Sequence, residues 1–400
     1  MFVFGNFKQK ANIGPKNIYT DNFVFRLHYR ITFWFLLACA VLVGSREFIR
    51  EHINCISNGY LAHVIDTYCF FSTTFTVVKY HNSSLHSGTS AHPGVGPYLE
   101  GKDPIIRHAY YQWVPFVLFF QGLFFYGPYL LWSSVDNNRM KAIVQIMTTS
   151  RLTAPQQCEI NGHKIESEEA RNKKVMWMKE AYLSFSRFKV NRDWAKYLVL
   201  CEALNWINII IQIILVNIFL QGKFLHLGID WVNNSENILD MVFPKVTKCT
   251  FRKFGSSGSV QVHDTICVMA LNIINEKIYC LLWFWFLILF IITSLGLLWR
   301  LLTYLLHRRS PAFNKWIWGE LSPGPALRRQ DIQIVTRKLC FSDWLFLYYL
   351  GKNINGSMFR TLVAQISESL QDTSVPQQEK FLLLQPSSPS QSHKENESFC

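Results

Sequence analysis

The sequence predicts an all-α membrane protein, a subunit with four transmembrane helices, disulfide-linked extracellular loops and a helical cytoplasmic domain. Three observations carry this. Four apolar runs are long enough to cross a bilayer, basic residues crowd alternate connecting segments, and the other two connections each hold a cysteine pair. The composition agrees: half of the 400 residues are hydrophobic and only 17% are charged, against roughly 25% in soluble domains.

A bilayer-crossing helix needs about 20 mostly apolar residues. The first run, Ile31–Val43, reaches that length by extending back through Phe23–Tyr29, with Arg26 and Arg30 snorkelling to the headgroups. Tyr110–Trp132, Tyr197–Leu220 and Ile278–Trp299 follow. The expected organisation is an N-terminal segment 1–22, spans at 23–45, 110–132, 197–221 and 278–303, and loops at 46–109, 133–196 and 222–277. A helical region 304–370 and a Ser/Gln/Pro-rich, disordered tail 371–400 complete the chain. No cleavage site follows the first run, which reads as a retained anchor.

The positive-inside rule sets the orientation. The 133–196 segment carries Arg139, Lys141, Arg151, Lys173, Lys174, Arg187, Arg192 and others, and Arg308, Arg309, Arg328 and Arg329 follow the last span. In the other two loops acids nearly balance bases. Both termini and the middle loop are therefore expected in the cytoplasm, and the net charge of +13 reads as topology. The scattered basic residues match no nucleic-acid module, so no nucleic-acid partner is expected.

Cysteine placement tests the orientation independently. Cys55 and Cys69 fall in the first outer loop, Cys249 and Cys267 in the second. Even numbers in an oxidising compartment read as two disulfides, with three connectivities open. The spacings do not suit a zinc knuckle. Sequons at Asn82 and Asn233 lie in the outer loops as candidate glycosylation sites.

Tyr110-Tyr111-Gln112-Trp113-Val114-Pro115-Phe116 stands where the first outer loop enters the second span. Tyrosine and tryptophan suit that interface, with an apolar ring toward lipid and a polar edge toward water. The string closely resembles the signature of the innexins, the invertebrate gap-junction proteins. Asp21–Tyr29, Asp66-Thr67-Tyr68-Cys69 with Ser72–Thr76, Phe243–Cys249, Asn272–Lys277 and Asp343–Leu347 with Leu350–Asn353 resemble further innexin landmarks, from about residue 20 to about 365. The chain departs from the family at Phe70, where tryptophan is common, and at Trp132–Val135, where many members carry Trp-Glu-Gly-Gly.

The resemblance implies a ring of innexin subunits around a central pore, a hemichannel, and docking of two rings from adjacent cells through the outer loops. It implies Cys55 paired with Cys267 and Cys69 with Cys249. It also places the N-terminal segment in the cytoplasmic mouth of the pore. The segment's own residues are compatible with that, with Phe2, Phe4 and Phe7 expected to pack on span one and Lys8 and Lys10 to face water. A non-junctional hemichannel, or a subunit needing a partner innexin, is the alternative. A four-span adhesion scaffold fits less well, because such families lack the cytoplasmic domain and the signature.

Other polar residues draw plainer readings. Glu202, the lone acid within a span, is expected to snorkel; pairing with Arg26 or Arg30 is the alternative. Pro115 and Pro128 are expected to bend span two. Val175, Met178, Tyr182 and Phe185 lie on one face of a helix at 168–189, and Phe359, Leu362, Val363, Ile366 and Leu370 on one at 357–370. His81, His86 and His92 read as a solvated cluster rather than a metal site, with proton sensing open. No phosphate-binding, nucleophile-elbow or metalloprotease motif is present, so neither an enzyme nor a cofactor is expected.

Overall fold

A computed structural model describes residues 18, 20–49, 53–56, 62–81, 92–152, 159–160, 163–164, 190–233, 236–321 and 327–372. The chain divides into two compact units. One comprises Asp21–Asn137 and Tyr197–Leu301; the other comprises Met1–Thr20, Asn138–Lys196 and Leu302–Cys400.

Four helices in the described residues are long and apolar enough to span a membrane: Phe23–Arg46, Tyr110–Asp136, Asp193–Phe219 and Ala270–Arg309. Span one begins as α1 (Phe23–Arg26), capped by the Asn22 side chain, which accepts from the Phe25 N–H at 2.6 Å. It passes through a π-helical turn, Leu27–Thr32, and continues as α2 (Phe33–Ile49). Span two is α4 (Val114–Asp136), which follows α3 (Ala62–Ser72) in the chain. Pro115 sits in its first turn, where no ladder bond is lost, so the expected bend there does not arise; Pro128 lies inside the helix. Asn137, left-handed at φ 41°, ends it.

The spans outrun their apolar cores. After α5 (Arg139–Leu152), span three starts α6 (Val190–Phe219) before Tyr197. With α7 (Phe224–Val232) and α8 (Glu236–Val242) between them, span four is α9 (Ala270–Arg309). Its forty residues cover about 60 Å, twice the apolar thickness of a bilayer. Leu36, Val43, Leu118, Phe125, Ile209, Val216, Tyr279 and Phe286 share one core. Phe116, Phe120, Phe124, Ile207, Ile211, Ile218 and Leu295 remain exposed, as a face toward lipid or a neighbouring subunit requires.

The chain is mostly helical, and the outer loops add a sheet that the sequence reading did not include. Its order is β1-β7-β6-β2-β3, every pair antiparallel. The strands are β1 (Asn54–Cys55), β2 (Thr74–Val77), β3 (Ile105–His108), β6 (Val246–Phe254) and β7 (Val260–Val268). β4 (Glu159–Ile160) and β5 (His163–Lys164) form a separate pair.

The other unit contains α10 (Pro311–Leu321), α11 (Arg329–Lys338), α12 (Phe341–Asn353) and α13 (Gly356–Asp372). The short apolar run at Trp344 is a buried helix, and the 357–370 stripe is the inner face of α13, with Phe359, Leu362, Val363 and Ile366 buried. Trp344 Nε1 donates to Asn314 Oδ1 at 3.0 Å, and Trp194 packs edge-on against Phe346 and Tyr349. The expected helix at 168–189 and the tail from 373 lie outside the described residues.

Candidate functional site in the cross-linked loops

One strand register and one helix–strand contact build the centre of the loop domain. Cys55 of β1 faces Cys267 of β7 across the ladder, and these two are bonded. Cys69, on the last turns of α3, is bonded to Cys249 of β6. Each bridge joins the loop after span one to the loop after span three. Around them Ile53, Ile65, Phe70, Tyr111 and Met269 form a buried cluster. The Cys55 N–H donates to Asp66 Oδ1 at 2.7 Å, tying β1 to α3. The Cys55, Cys69 and Cys267 sulfurs lie close enough for a metal site, but all three are in disulfides and offer no thiolate to a cation.

The aromatic signature is wired into this domain. Tyr110–Trp113 form a single 3₁₀ turn ahead of α4. The Tyr111 hydroxyl donates to the Phe70 carbonyl at 3.1 Å, and the Gln112 amide donates to the same oxygen. Tyr110 packs edge-on against Phe219 and Phe243. Val114 is fully buried, while Trp113 is 60% exposed. The motif therefore fastens α3 to the top of span two, and only Trp113 is free to act as an interfacial anchor.

A second polar group stiffens the far side of the sheet. Buried Lys248 donates to the Gly96 carbonyl at 3.0 Å, pairs with Asp264 at 3.2 Å and lies 4.6 Å from the Tyr98 ring centroid. Those contacts hold the 92–100 segment on β6, and Arg252 pairs with Glu100 beside them. Lys245 pairs with Asp240 at 2.9 Å and lies 3.6 Å from Glu276; the Asp240 bond raises its pKa.

Between β2 and β3, the Thr76 hydroxyl meets two imidazoles, His108 Nε2 at 2.8 Å and His81 Nε2 at 3.2 Å. All three residues are buried. Burial lowers the pKa of both rings; that of His108 falls to about 4, with the neighbouring His81 adding to the shift. A Cβ at Gly94, whose φ is +77°, would stand 2.9 Å from the His81 ring. The expected solvated histidine cluster is therefore corrected: His81 is a core residue bonded to a strand. His92 forms a bridge with Val95, and His86 lies outside the described residues.

Comparison with known proteins gives the same picture. The innexin family model matches residues 21–370. The chain belongs to the innexin family. It is 42% identical over 372 residues to innexin inx7 of Drosophila melanogaster, covering 91% of this chain and 84% of the relative. It is 37% identical to innexin inx2 of Schistocerca americana, covering 92% and 98%, and 34% identical to innexin shaking-B of Drosophila melanogaster, covering 92% and 94%. Innexins are gap-junction channel proteins rather than enzymes, and this chain is a gap-junction membrane protein that works as an oligomeric channel with innexin subunits.

The structure thus brings the four outer-loop cysteines together with Tyr110, Tyr111 and Gln112 of the signature, while Val114 joins the core of the spans. Asn233 is exposed at the end of α7. Phe2, Phe4, Phe7, Lys8, Lys10 and Asn82 lie outside the described residues. Glu202 is 6% exposed and does not snorkel; Arg300 of span four grips it from two nitrogens, at 2.8 and 2.5 Å. The pair is 98 residues apart in the chain, and Arg300 reads in sequence as one more basic residue at the end of a span. The His81–Thr76–His108 group was equally hidden, because Thr76 and His108 meet only through the pairing of β2 with β3.

Proposed function

We propose that the cross-linked sheet faces the extracellular gap and docks against the same domain of a ring on the adjacent cell. In this reading both termini and the 133–196 segment are cytoplasmic, and the N-terminal segment 1–22 enters the pore mouth with Phe2 and Phe4 on its wall and Lys8 and Lys10 toward water. Asn82 and Asn233 lie on the glycan-accessible side. The ring is built of this chain or of this chain with other innexin subunits, in contact with membrane lipid.

One observation supports the reading above the rest. Two disulfides and a five-stranded sheet fuse the loops after spans one and three into one folded body. Docking across a gap needs a surface that keeps its shape, and long loops without cross-links would lose much of the binding energy to ordering. The β6–β7 hairpin projects from that body with Phe254, Val260 and Val262 exposed around a Gly255–Gly258 turn. The basic excess of the opposite connections supports the sidedness.

An epitope inserted between Ser256 and Ser257 tests sidedness directly. Staining of intact cells is the expected result, with a tag after Asp372 stained only after permeabilisation. The reverse pattern overturns the orientation. Dye uptake by single cells without transfer between paired cells would favour the non-junctional hemichannel.

A further inference from the structure

Span one is tied to its neighbours by polar groups rather than by packing alone. The Asn22 side chain caps α1 through its oxygen and donates from its amide nitrogen to Glu202 Oε1 at 2.8 Å. Glu202 is the carboxylate that Arg300 holds, so one clamp joins spans one, three and four. A second tie follows one turn later: His28 Nε2 meets Thr293 Oγ1 at 2.9 Å. A third is the Trp285 Nε1 donation to Thr32 Oγ1 at 3.0 Å. On the other side Tyr29 stacks on Tyr129 at 4.0 Å, and its hydroxyl donates to Asp21 at 2.8 Å.

The stretch between these ties, Leu27–Thr32, is the π-helical turn. A π turn carries one residue more than the α-helix around it, and such turns concentrate at functional sites. Conversion to α-helix would rotate everything N-terminal to it by about 100° and move it about 1.5 Å along the axis. That motion carries Asn22 away from Glu202. The clamp and the α-helical form are therefore mutually exclusive.

The joint is also incompletely satisfied. Asn22, His28, Glu202, Asn205, Thr293 and Gly296 line one small cavity. His28 Nδ1 and both amide atoms of Asn205 are buried without a protein partner, in residues 0% and 2% exposed. A purely static staple gains by meeting every buried polar atom. Unmet donors and acceptors beside a convertible turn fit a joint with a second arrangement in which they are met.

We propose that Asn22, His28, Glu202 and Arg300 are positioning residues for channel gating. They hold the π turn of span one in the clamped form, and its release rotates α1 away from spans three and four. The proposal rests on the channel reading given above.

Asn22→Ser is the discriminating variant, since serine keeps the helix cap but cannot reach Glu202. Thr293→Val removes the His28 bond from span four and leaves the cap untouched. Each full-length chain is expressed in paired cells, and surface amount, ring assembly and junctional current against voltage are recorded. The expected result is normal surface rings with an open-to-closed ratio changed about ten-fold at fixed voltage, the effect of losing one charge-assisted hydrogen bond. Asn22→Gln, which restores an amide, is expected to recover part of the shift. Gating identical to the unsubstituted chain in whichever variant reaches the surface overturns the proposal. An unsubstituted chain that conducts in neither paired nor single cells refutes the channel reading instead.

Discussion

Acid should loosen the loop domain, and His108 sets the scale. The ring is 3% exposed and titrates at about 4 in the fold, against 6.5 when free. Between those values the unfolded chain binds a proton that the folded chain refuses, so stability rises with pH across the window. The contribution is complete above pH 6.5 and is lost as the pH falls toward 4. A shift of this size corresponds to about 3 kcal/mol. His81 is shifted in the same direction and adds to the effect. Two protonated rings would both be donors facing one Thr76 hydroxyl and would repel each other. The charged groups around the sheet are the Lys248–Asp264 and Arg252–Glu100 pairs. The assay is thermal unfolding of the purified full-length ring from pH 7.5 to 4.5, beside His108→Gln, which retains a polar side chain that does not titrate. The variant should show a distinctly flatter acid dependence, whatever its stability at neutral pH. Identical acid slopes would refute the reasoning.

The other predictions concern single contacts. Cys69→Ser with Cys249→Ser leaves the Cys55–Cys267 bridge in place, so the lost bridge closed only a circuit of roughly thirty residues, worth about 4 kcal/mol in the chain-entropy model; unchanged melting would contradict it. Glu202→Gln strands the Arg300 charge in the bundle and should cost about 3–5 kcal/mol, with Glu202→Leu/Arg300→Met costing less than that single change; denaturation in detergent reads both. Gly228→Ala would place a Cβ 2.2 Å from the Trp283 ring, displacing the indole that donates to the Leu225 carbonyl, at about 1–3 kcal/mol; retention of full thermal stability would argue against that packing. Tyr111→Phe removes the bond to the Phe70 carbonyl and should cost about 1 kcal/mol on the same scale.

The sequence made the spans legible because a bilayer imposes a length and a hydropathy that survive without tertiary context. It did not show where the helices end. Ala270–Lys277 and Tyr304–Arg309 are polar enough to fall outside the expected span, yet both continue α9, since helix hydrogen bonds do not stop at the headgroups. The nine-residue strands β6 and β7 flank a Gly-Ser-Ser-Gly turn that the sequence does display, whereas the other three strands were hidden for a different reason. β1 has two residues, and β2 and β3 four each, so their pairing depends on partners across the chain rather than on local alternation. The cysteines announced two disulfides, but their residues alone left three pairings open, one of which keeps each bridge within a loop. The bridges between loops were implied only by the innexin resemblance. The aromatic signature was readable as an interface marker through Trp113. That Tyr111 is a core residue bonded to Phe70 depended on a fold the string does not encode.

The central claim is that this innexin forms a channel through docking of its cross-linked loop domain. The direct measurement is junctional conductance between paired cells that lack channels of their own, with the Cys69→Ser/Cys249→Ser chain alongside. Conductance with the unsubstituted chain, and its loss with the double variant at equal surface amount, is the expected result. Equal conductance for the two chains, or none for either in cells that display the rings, would contradict it.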